Sequence, residues 1–160
     1  MPRQIEELSD QEIQNLIENH RRKKLTSEPR YLEALAERAR RKGHGLNFPT
    51  SFKTIRAAAQ EGRFLSYKQL ADASGADWNK VHYAMNWHLW ELVEYAHRHG
   101  WPMLSAVVVN QKNLETGEME PDTLKGFIGA AQELGFVVTD PQAFLKEQQK
   151  RVFEWAQLPS

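Results

Sequence analysis

The chain has 160 residues, of which 41% are hydrophobic and 26% charged, with no cysteine and a formal net charge of zero. This composition is typical of a globular protein that is long enough to bury a core, and it excludes disulfides, thiolate metal sites and cysteine nucleophiles. We expect a cytoplasmic protein without a membrane association, because the N-terminus lacks a signal-peptide core and no apolar run approaches the length of a membrane span.

The zero net charge conceals an asymmetry along the chain. Residues 1–64 sum to +4, residues 65–160 sum to −4, and residues 19–44 alone sum to +6. A polyanion would meet this basic segment first. The alternative is a solvated helical surface, because Arg and Lys are good helix formers.

The first helix is predicted by a capping box. Ser9 is the N-cap and Glu12 follows three residues later, while Ile13 and Ile17 lie on one face of the helix. The cationic tract that follows, residues 20–25, is predicted as a connector.

Two further helices are predicted before residue 62. One covers 28–43 and carries Arg and Lys in its last turns, where cations suit the helix dipole. The other covers about 50–60 and follows a proline. We assign residues 1–62 to a helical N-terminal extension that contains the basic tract.

The second half begins with two helices joined by a glycine turn. Ser66 caps a short helix, YKQLADAS, that ends at Gly75, and a long helix is predicted over 77–99. The apolar stripe of the long helix consists of Trp78, Val81, Met85, Leu89, Leu92, Val93 and Ala96. This arrangement is typical of a helix-turn-helix, although many helical hairpins share it.

The stretch RHGWPMLSAVVVN, residues 98–110, follows the long helix. Gly100 ends the helix and Pro102 prevents its continuation. Residues 104–109 are apolar and rich in valine, and they are predicted as a strand buried on both faces. The polar residues 110–121 are predicted as a loop or an exposed wing.

The C-terminal part is predicted as a helix, a strand and a helix. The first helix covers 123–134, the strand covers 136–139, and the last helix begins at the N-cap Asp140 and extends to Trp155. The predicted fold class is α+β and mostly helical, with a small sheet. Residues 63–160 form the second predicted domain.

The order of these motifs resembles the winged-helix domain of the alkylguanine-DNA alkyltransferases and their alkyltransferase-like relatives. The resemblance covers about residues 65–127, from SYKQLA through the glycine turn, the long helix and the proline corner to the polar wing. It implies a winged-helix-like domain whose second helix lies in a DNA minor groove. The family's reactive cysteine, histidine and arginine are replaced here by Met103, Leu104 and Ser105. Because alkyl transfer needs a thiolate activated by histidine, we expect the binding surface without the chemistry.

We therefore expect a noncatalytic nucleic-acid-binding protein, accessory or regulatory, of bacterial, phage or plasmid type, with DNA favoured over RNA. The candidate binding residues are Arg21, Arg22, Lys23, Lys24, Arg40, Arg41, Lys42, Asn79, Lys80, His82, Tyr83, Trp87 and Lys112. The cations would neutralise phosphates, Asn79 would hydrogen-bond a base edge, and Tyr83 or Trp87 would stack on an unpaired base. Acidic residues in the same helices argue against DNA; they are Asp72, Asp77, Glu91 and Glu94.

The alternative function is a protein-protein interaction module, an adaptor or inhibitor, in which the aromatic helix 77–99 binds a partner protein or a second copy of the chain. The aromatic residues of that helix have an alternative structural role as core that packs against the N-terminal helices. No catalytic residue, metal site or cofactor is predicted, because no HExxH, phosphate-binding glycine loop or paired-carboxylate motif occurs.

Overall fold

The computed structural model describes residues 3–41 and 45–159. Its helices are α1 (Asp10–Arg22), α2 (Pro29–Arg41), α3 (Phe48–Gln60), α4 (Tyr67–Ala73), α5 (Trp78–Val81), α6 (Met85–Arg98), α7 (Pro121–Glu133) and α8 (Pro141–Ala156). Short 3-10 turns occur at Ile5–Glu7, His82–Ala84, Leu104–Val107 and Gln111–Asn113. Two strands of two residues each, β1 (Leu65–Ser66) and β2 (Val108–Val109), pair in parallel. The fold is mostly helical with a small sheet, as predicted.

Side-chain caps mark the starts of α1, α3, α4 and α8. Ser9 and Ser66 each form a complete capping box, at the start of α1 and α4 respectively. Asn47 caps α3 and Asp140 caps α8, in each case by accepting a hydrogen bond from a backbone N–H of the first turn. These caps satisfy backbone donors that have no partner within the helix, which explains why the predicted starts agree closely with the observed ones.

The cationic tract is helical for half of its length. We predicted residues 20–25 as a connector, but α1 continues through Arg22 and the connector begins at Lys23. His20 stays in the helix and its Nδ1 lies 2.8 Å from the carbonyl oxygen of Leu16. Lys24 has a positive φ of 60°, which stops the helix.

A single apolar core connects the elements. Helix α3 packs against α2, α4, α6 and α8, so side chains on both sides of residue 62 meet in the core. Ile17, Ile55, Leu70 and Leu92 are fully buried there. Each such aliphatic side chain contributes about 1.5–3 kcal/mol to folding.

The long helix predicted over 77–99 is broken. A 3-10 turn, His82–Ala84, separates α5 from α6. Trp78 on α5 stacks on Tyr67 of α4, with ring centroids 6.4 Å apart, while α6 buries its own apolar stripe against other elements. The tighter turn lets each segment keep its own contacts, which a continuous helix of uniform pitch does not allow.

The predicted strand 104–109 is wrong for most of its length. Leu104–Val107 is a 3-10 turn, and only Val108–Val109 is strand. The prediction that this segment is buried is confirmed, because its residues except Ser105 are fully enclosed. A segment surrounded by α6, α8 and β1 is apolar on every side, so its sequence pattern does not distinguish a strand from a buried turn.

The other short strand predicted, 136–139, is not a strand. Phe136 packs on His97 and Phe144, with ring centroids 5.6 and 5.4 Å away, and Val137 is 88% exposed. These residues join α7 to α8 without pairing to another strand within the described part of the chain. The described residues contain no helix that is both long and apolar enough to cross a membrane.

Candidate nucleic-acid interface

The predicted basic residues at the end of α1 divide into an internal and an external group. The Arg21 side chain turns inward, where its Nε donates to the Tyr31 hydroxyl at 3.0 Å and its Nη2 lies 3.0 Å from Glu91 Oε1. Burial raises the pKa of Tyr31 to about 12, so this hydroxyl stays protonated. Arg22, Lys23 and Lys24 are exposed to solvent. Only the exposed three are in a position to meet phosphates.

The basic residues at the end of α2 pair with carboxylates of this chain. Arg40 and Arg41 both hydrogen-bond Glu37, and Arg41 also lies 3.0 Å from Asp10. The hydrogen bond from Arg40, helped by the one from Arg41, lowers the pKa of Glu37 to about 2. The last predicted residue of this group, Lys42, lies outside the described residues.

The loop predicted as a wing lies against the body of the protein. Lys112 forms an ion pair with Glu120 at 2.9 Å, and the Nε2 of Gln149 donates to the carbonyl oxygen of Gly117 at 2.7 Å. Gly117 adopts a positive φ of 74° directly over the Phe64 ring, which leaves no room for a side chain. These contacts fix the loop, and Lys112 stands at its exposed edge.

A buried ion-pair network connects α1 and α2 to the inner side of α6. It was not predicted from the sequence. Arg38 pairs with Glu91, and its Nη1 donates to Gln14 Oε1 at 2.9 Å. Glu91 is 2% exposed, and burial raises its pKa although both arginines oppose that change. The available signal was that Arg38 follows Tyr31 and Leu35 at spacings of seven and three, on the buried face of α2.

The network accounts for two of the acidic residues that argued against DNA. Glu91 faces Arg38 and Arg21, and Glu94 is buried with its Oε1 3.9 Å from Arg21 Nε. On α4, Asp72 pairs with Lys68 at 3.1 Å. Glu91 and Glu94 are therefore directed into the protein, whereas Asp77, the N-cap of α5, is exposed close to Asn79 and Lys80.

The 3-10 turn His82–Ala84 and the outer side of α6 together carry an aromatic face, which we define as Tyr83, Asn86, Trp87 and Trp90. On α6, Trp90 follows Asn86 by four residues and Trp87 by three, spacings that place side chains on one side of a helix, and Tyr83 precedes them on the 3-10 turn. Tyr83 is 66% exposed and Trp87 is 42% exposed, whereas Trp90 is half-buried. Asn79 and Lys80 are exposed on α5, and His82 is exposed beside Tyr83 on the 3-10 turn. Five of the thirteen predicted residues therefore lie together.

Trp87 is supported from the protein side by a buried cation. The guanidinium carbon of Arg38 lies 4.0 Å from the centroid of the Trp87 ring. This is a cation-π contact made by an arginine that is itself fixed by the ion-pair network. The contact joins the exposed aromatic face to the packing of α1 and α2.

A cleft of about 370 Å³ opens beside the aromatic face, between α4, α5 and α6 on one side and α7 on the other. Its lining includes Tyr67, Trp78, His82, Met85, Asn86, Leu89, Trp90, Ser105, Met119, Asp122, Thr123 and Phe127. Trp78 is half-buried and stacks on Tyr67, and the edge of His82 lies against it at 5.9 Å, so its interpretation as a packing residue is confirmed. Aromatic walls with a few polar groups suit a planar ring better than an ion.

The Trp-Pro corner is a packing element. Trp101 stacks on His99 at 4.3 Å and contacts Trp155 at 5.4 Å between ring centroids. Met103, which stands where the alkyltransferases have their cysteine, is 2% exposed, and its backbone N–H donates to Gln148 at 3.0 Å. The corner therefore contributes to the core and presents no reactive group to solvent.

A serine and a histidine lie within hydrogen-bond distance in the core. Ser51 Oγ and His88 Nε2 are 2.7 Å apart, and burial lowers the pKa of His88 to about 4. Both residues are buried, and neither lines any of the clefts described for the chain. The pair connects α3 to α6. Within residues 3–41 and 45–159, no three His, Asp or Glu side chains are grouped so as to hold a metal ion.

The segment SYKQLA, on which the resemblance to the alkyltransferases begins, covers the last residue of β1 and most of α4. Gly75 then makes a turn with a positive φ of 71°, and α5 and α6 follow. We also compared the chain with protein-family models, with curated proteins and with solved structures. None of them matched the chain.

Proposed function

We propose that the protein is a noncatalytic nucleic-acid-binding protein, accessory or regulatory in role, that contacts its ligand through the aromatic face. DNA is the expected nucleic acid, because the motif order resembles a DNA-binding winged helix. The observation that carries the proposal is the exposure of Tyr83 and Trp87 next to Asn79, Lys80 and His82. This set combines rings that stack, an amide that reads a base edge and a cation that meets a phosphate.

The inward direction of Glu91 and Glu94 supports the proposal. Both face arginines inside the protein, so they do not repel a phosphate backbone at the surface. Arg22, Lys23 and Lys24 remain exposed, and they add a long-range attraction that falls with salt.

The proposal is tested by titrating labelled single-stranded and double-stranded DNA at low and at moderate ionic strength, with fluorescence anisotropy as the signal. Binding is expected to weaken with salt, because part of the affinity comes from released counterions. The variant Lys80→Glu is expected to weaken binding and to lower the salt slope by about 1. Lys146→Glu, at an exposed position on α8, is the matched control and is expected to bind like the wild type. Absence of binding to any nucleic acid at low salt contradicts the proposal.

A second candidate is a protein-interaction module that uses the same helix. The observation that favours it is the exposure of Tyr83 and Trp87, because tyrosine and tryptophan are among the residue types found most often at interface hot spots. A protein interface of this kind is much less sensitive to salt than phosphate binding. Sedimentation velocity over a range of protein concentrations tests the self-association form, and a strictly monomeric chain excludes it.

A further inference from the structure

We infer that the aromatic face binds single-stranded rather than duplex nucleic acid, an inference that rests on the proposed function and narrows its ligand. Tyr83 lies on the 3-10 turn and Trp87 in the first turn of α6, four residues later, and both rings are exposed. A ring stacks on a base only where the face of that base is open. Within a duplex each base face is covered by the next base pair, so exposed rings on a helix surface find open faces in a single strand.

The distribution of charge favours the same ligand. Duplex binding gains most of its affinity from many phosphate contacts. In this protein Arg21, Arg40, Arg41 and Lys112 already face carboxylates of the same chain, so using them for phosphates means breaking those pairs. Among the described residues of α5, Lys80 is exposed and has no acidic side chain within ion-pair distance. Among the predicted cations that the structure describes, only Arg22, Lys23, Lys24 and Lys80 remain available, so stacking has to supply a large share of the affinity.

The aromatic face is also prepared for stacking. Arg38 holds one face of the Trp87 ring, and the ion pair of Arg38 with Glu91 fixes the guanidinium in turn. A ring that is held in place loses less conformational freedom when a base stacks on it. Asn86 is exposed between Tyr83 and Trp87, where its amide is able to hydrogen-bond a base edge.

The structure of the loop after β2 does not favour the binding of a duplex. Strand pairing in the described residues is limited to β1 with β2, so residues 110–121 form no β-hairpin that would brace a second strand of DNA. Gln149 holds this loop against the body of the protein instead. The aromatic face therefore stands without a neighbouring wing.

The test compares three labelled probes by anisotropy: an oligothymidine strand of about 20 nucleotides, a duplex of the same length, and an abasic strand with the same phosphates but no bases. We expect the oligothymidine to bind at least about tenfold more tightly than either other probe, with a log–log salt slope between about −1 and −2, as for one to three phosphate contacts. Duplex binding as tight as that of the single strand overturns the inference but leaves the proposed function standing. Equal binding of the abasic strand overturns stacking as the cause. Absence of binding to all three probes overturns both the inference and the proposed function.

Variants connect the preference to the named rings. Trp87→Ala and Tyr83→Ala are each expected to weaken oligothymidine binding by about tenfold, while duplex binding changes little. Trp87→Phe keeps a stacking ring and is expected to restore most of the affinity. Val137→Ala, at a strongly exposed apolar position on the connection between α7 and α8, is the control and is expected to have no effect. Circular dichroism checks that each variant is folded, and unchanged single-strand affinity in both folded alanine variants refutes the inference.

Discussion

The pair of His88 and Ser51 predicts how the stability of the protein responds to acid. Burial lowers the pKa of His88 to about 4, whereas an unfolded histidine titrates near 6.5. On acidification the unfolded chain therefore takes up the proton first, so the contribution of this residue is complete above pH 6.5 and is lost as the pH falls toward 4. The expected loss in the free energy of unfolding is about 2 kcal/mol at pH 5 and about 3 kcal/mol at pH 4.

Urea unfolding at a series of pH values, followed by circular dichroism, measures this loss. Other histidines and carboxylates titrate in the same range, so the wild type is compared with His88→Gln, which does not titrate but keeps a hydrogen-bonding group for Ser51. We expect the difference in unfolding free energy between the two proteins to change by about 2 kcal/mol between pH 7 and pH 5. If the two pH profiles run parallel over this range, His88 is not desolvated in the folded protein and the reasoning is wrong.

Two further predictions concern stability. Glu91→Gln leaves the buried guanidinium groups without their main counter-charge, and urea unfolding is expected to show that the free energy of unfolding falls by about 3 kcal/mol. The control Glu147→Gln, in an exposed pair on α8, is expected to lower it by less than about 1 kcal/mol. Similar losses in both variants would contradict a buried network. Gly117→Ala places a methyl group 2.2 Å from Phe64 at a positive φ, while Gly62→Ala has a similar φ of 71° and no neighbour within 4 Å. Both variants are expected to lose about 1 kcal/mol of unfolding free energy from backbone strain. Gly117→Ala is expected to lose about 1–3 kcal/mol more from overpacking against Phe64. Equal melting temperatures of the two variants would disprove this additional cost.

The parts of the fold that the sequence predicts well are those fixed by local chemistry. Ser9, Ser66 and Asp140 act on backbone groups within one helical turn, so their caps are visible in a short window of sequence. The apolar stripe of α6 is similarly visible, because helical periodicity directly reflects one buried face. These signals suffice for helix starts and for most of the core.

The parts that the sequence predicts badly depend on contacts between distant residues. The segment Leu104–Val107 folds as a turn because α6 and α8 close around it, and its apolar letters are compatible with either structure. The break at His82–Ala84 separates α6 from α5, whose Trp78 stacks on Tyr67, eleven residues earlier in the sequence. Arg38 and Glu91 are 53 residues apart in sequence, and neither residue alone identifies its partner. Tertiary packing decides each of these features.

At the candidate site, the charges counted along the sequence do not correspond to the charges available on the surface. The segment 19–44 carries +6, yet several of its arginines face carboxylates of α1, α2 and α6 in the same chain. Reversing the charge of all four residues from Arg21 to Lys24 would therefore place the glutamate of Arg21→Glu against Glu91 in a buried position. The variant would unfold, so its loss of DNA binding would give no information about the binding surface. Reversing Arg22, Lys23 and Lys24 while sparing Arg21 leaves the network intact. If that variant still binds nucleic acid with a reduced salt slope, the tract attracts the ligand and the aromatic face holds it.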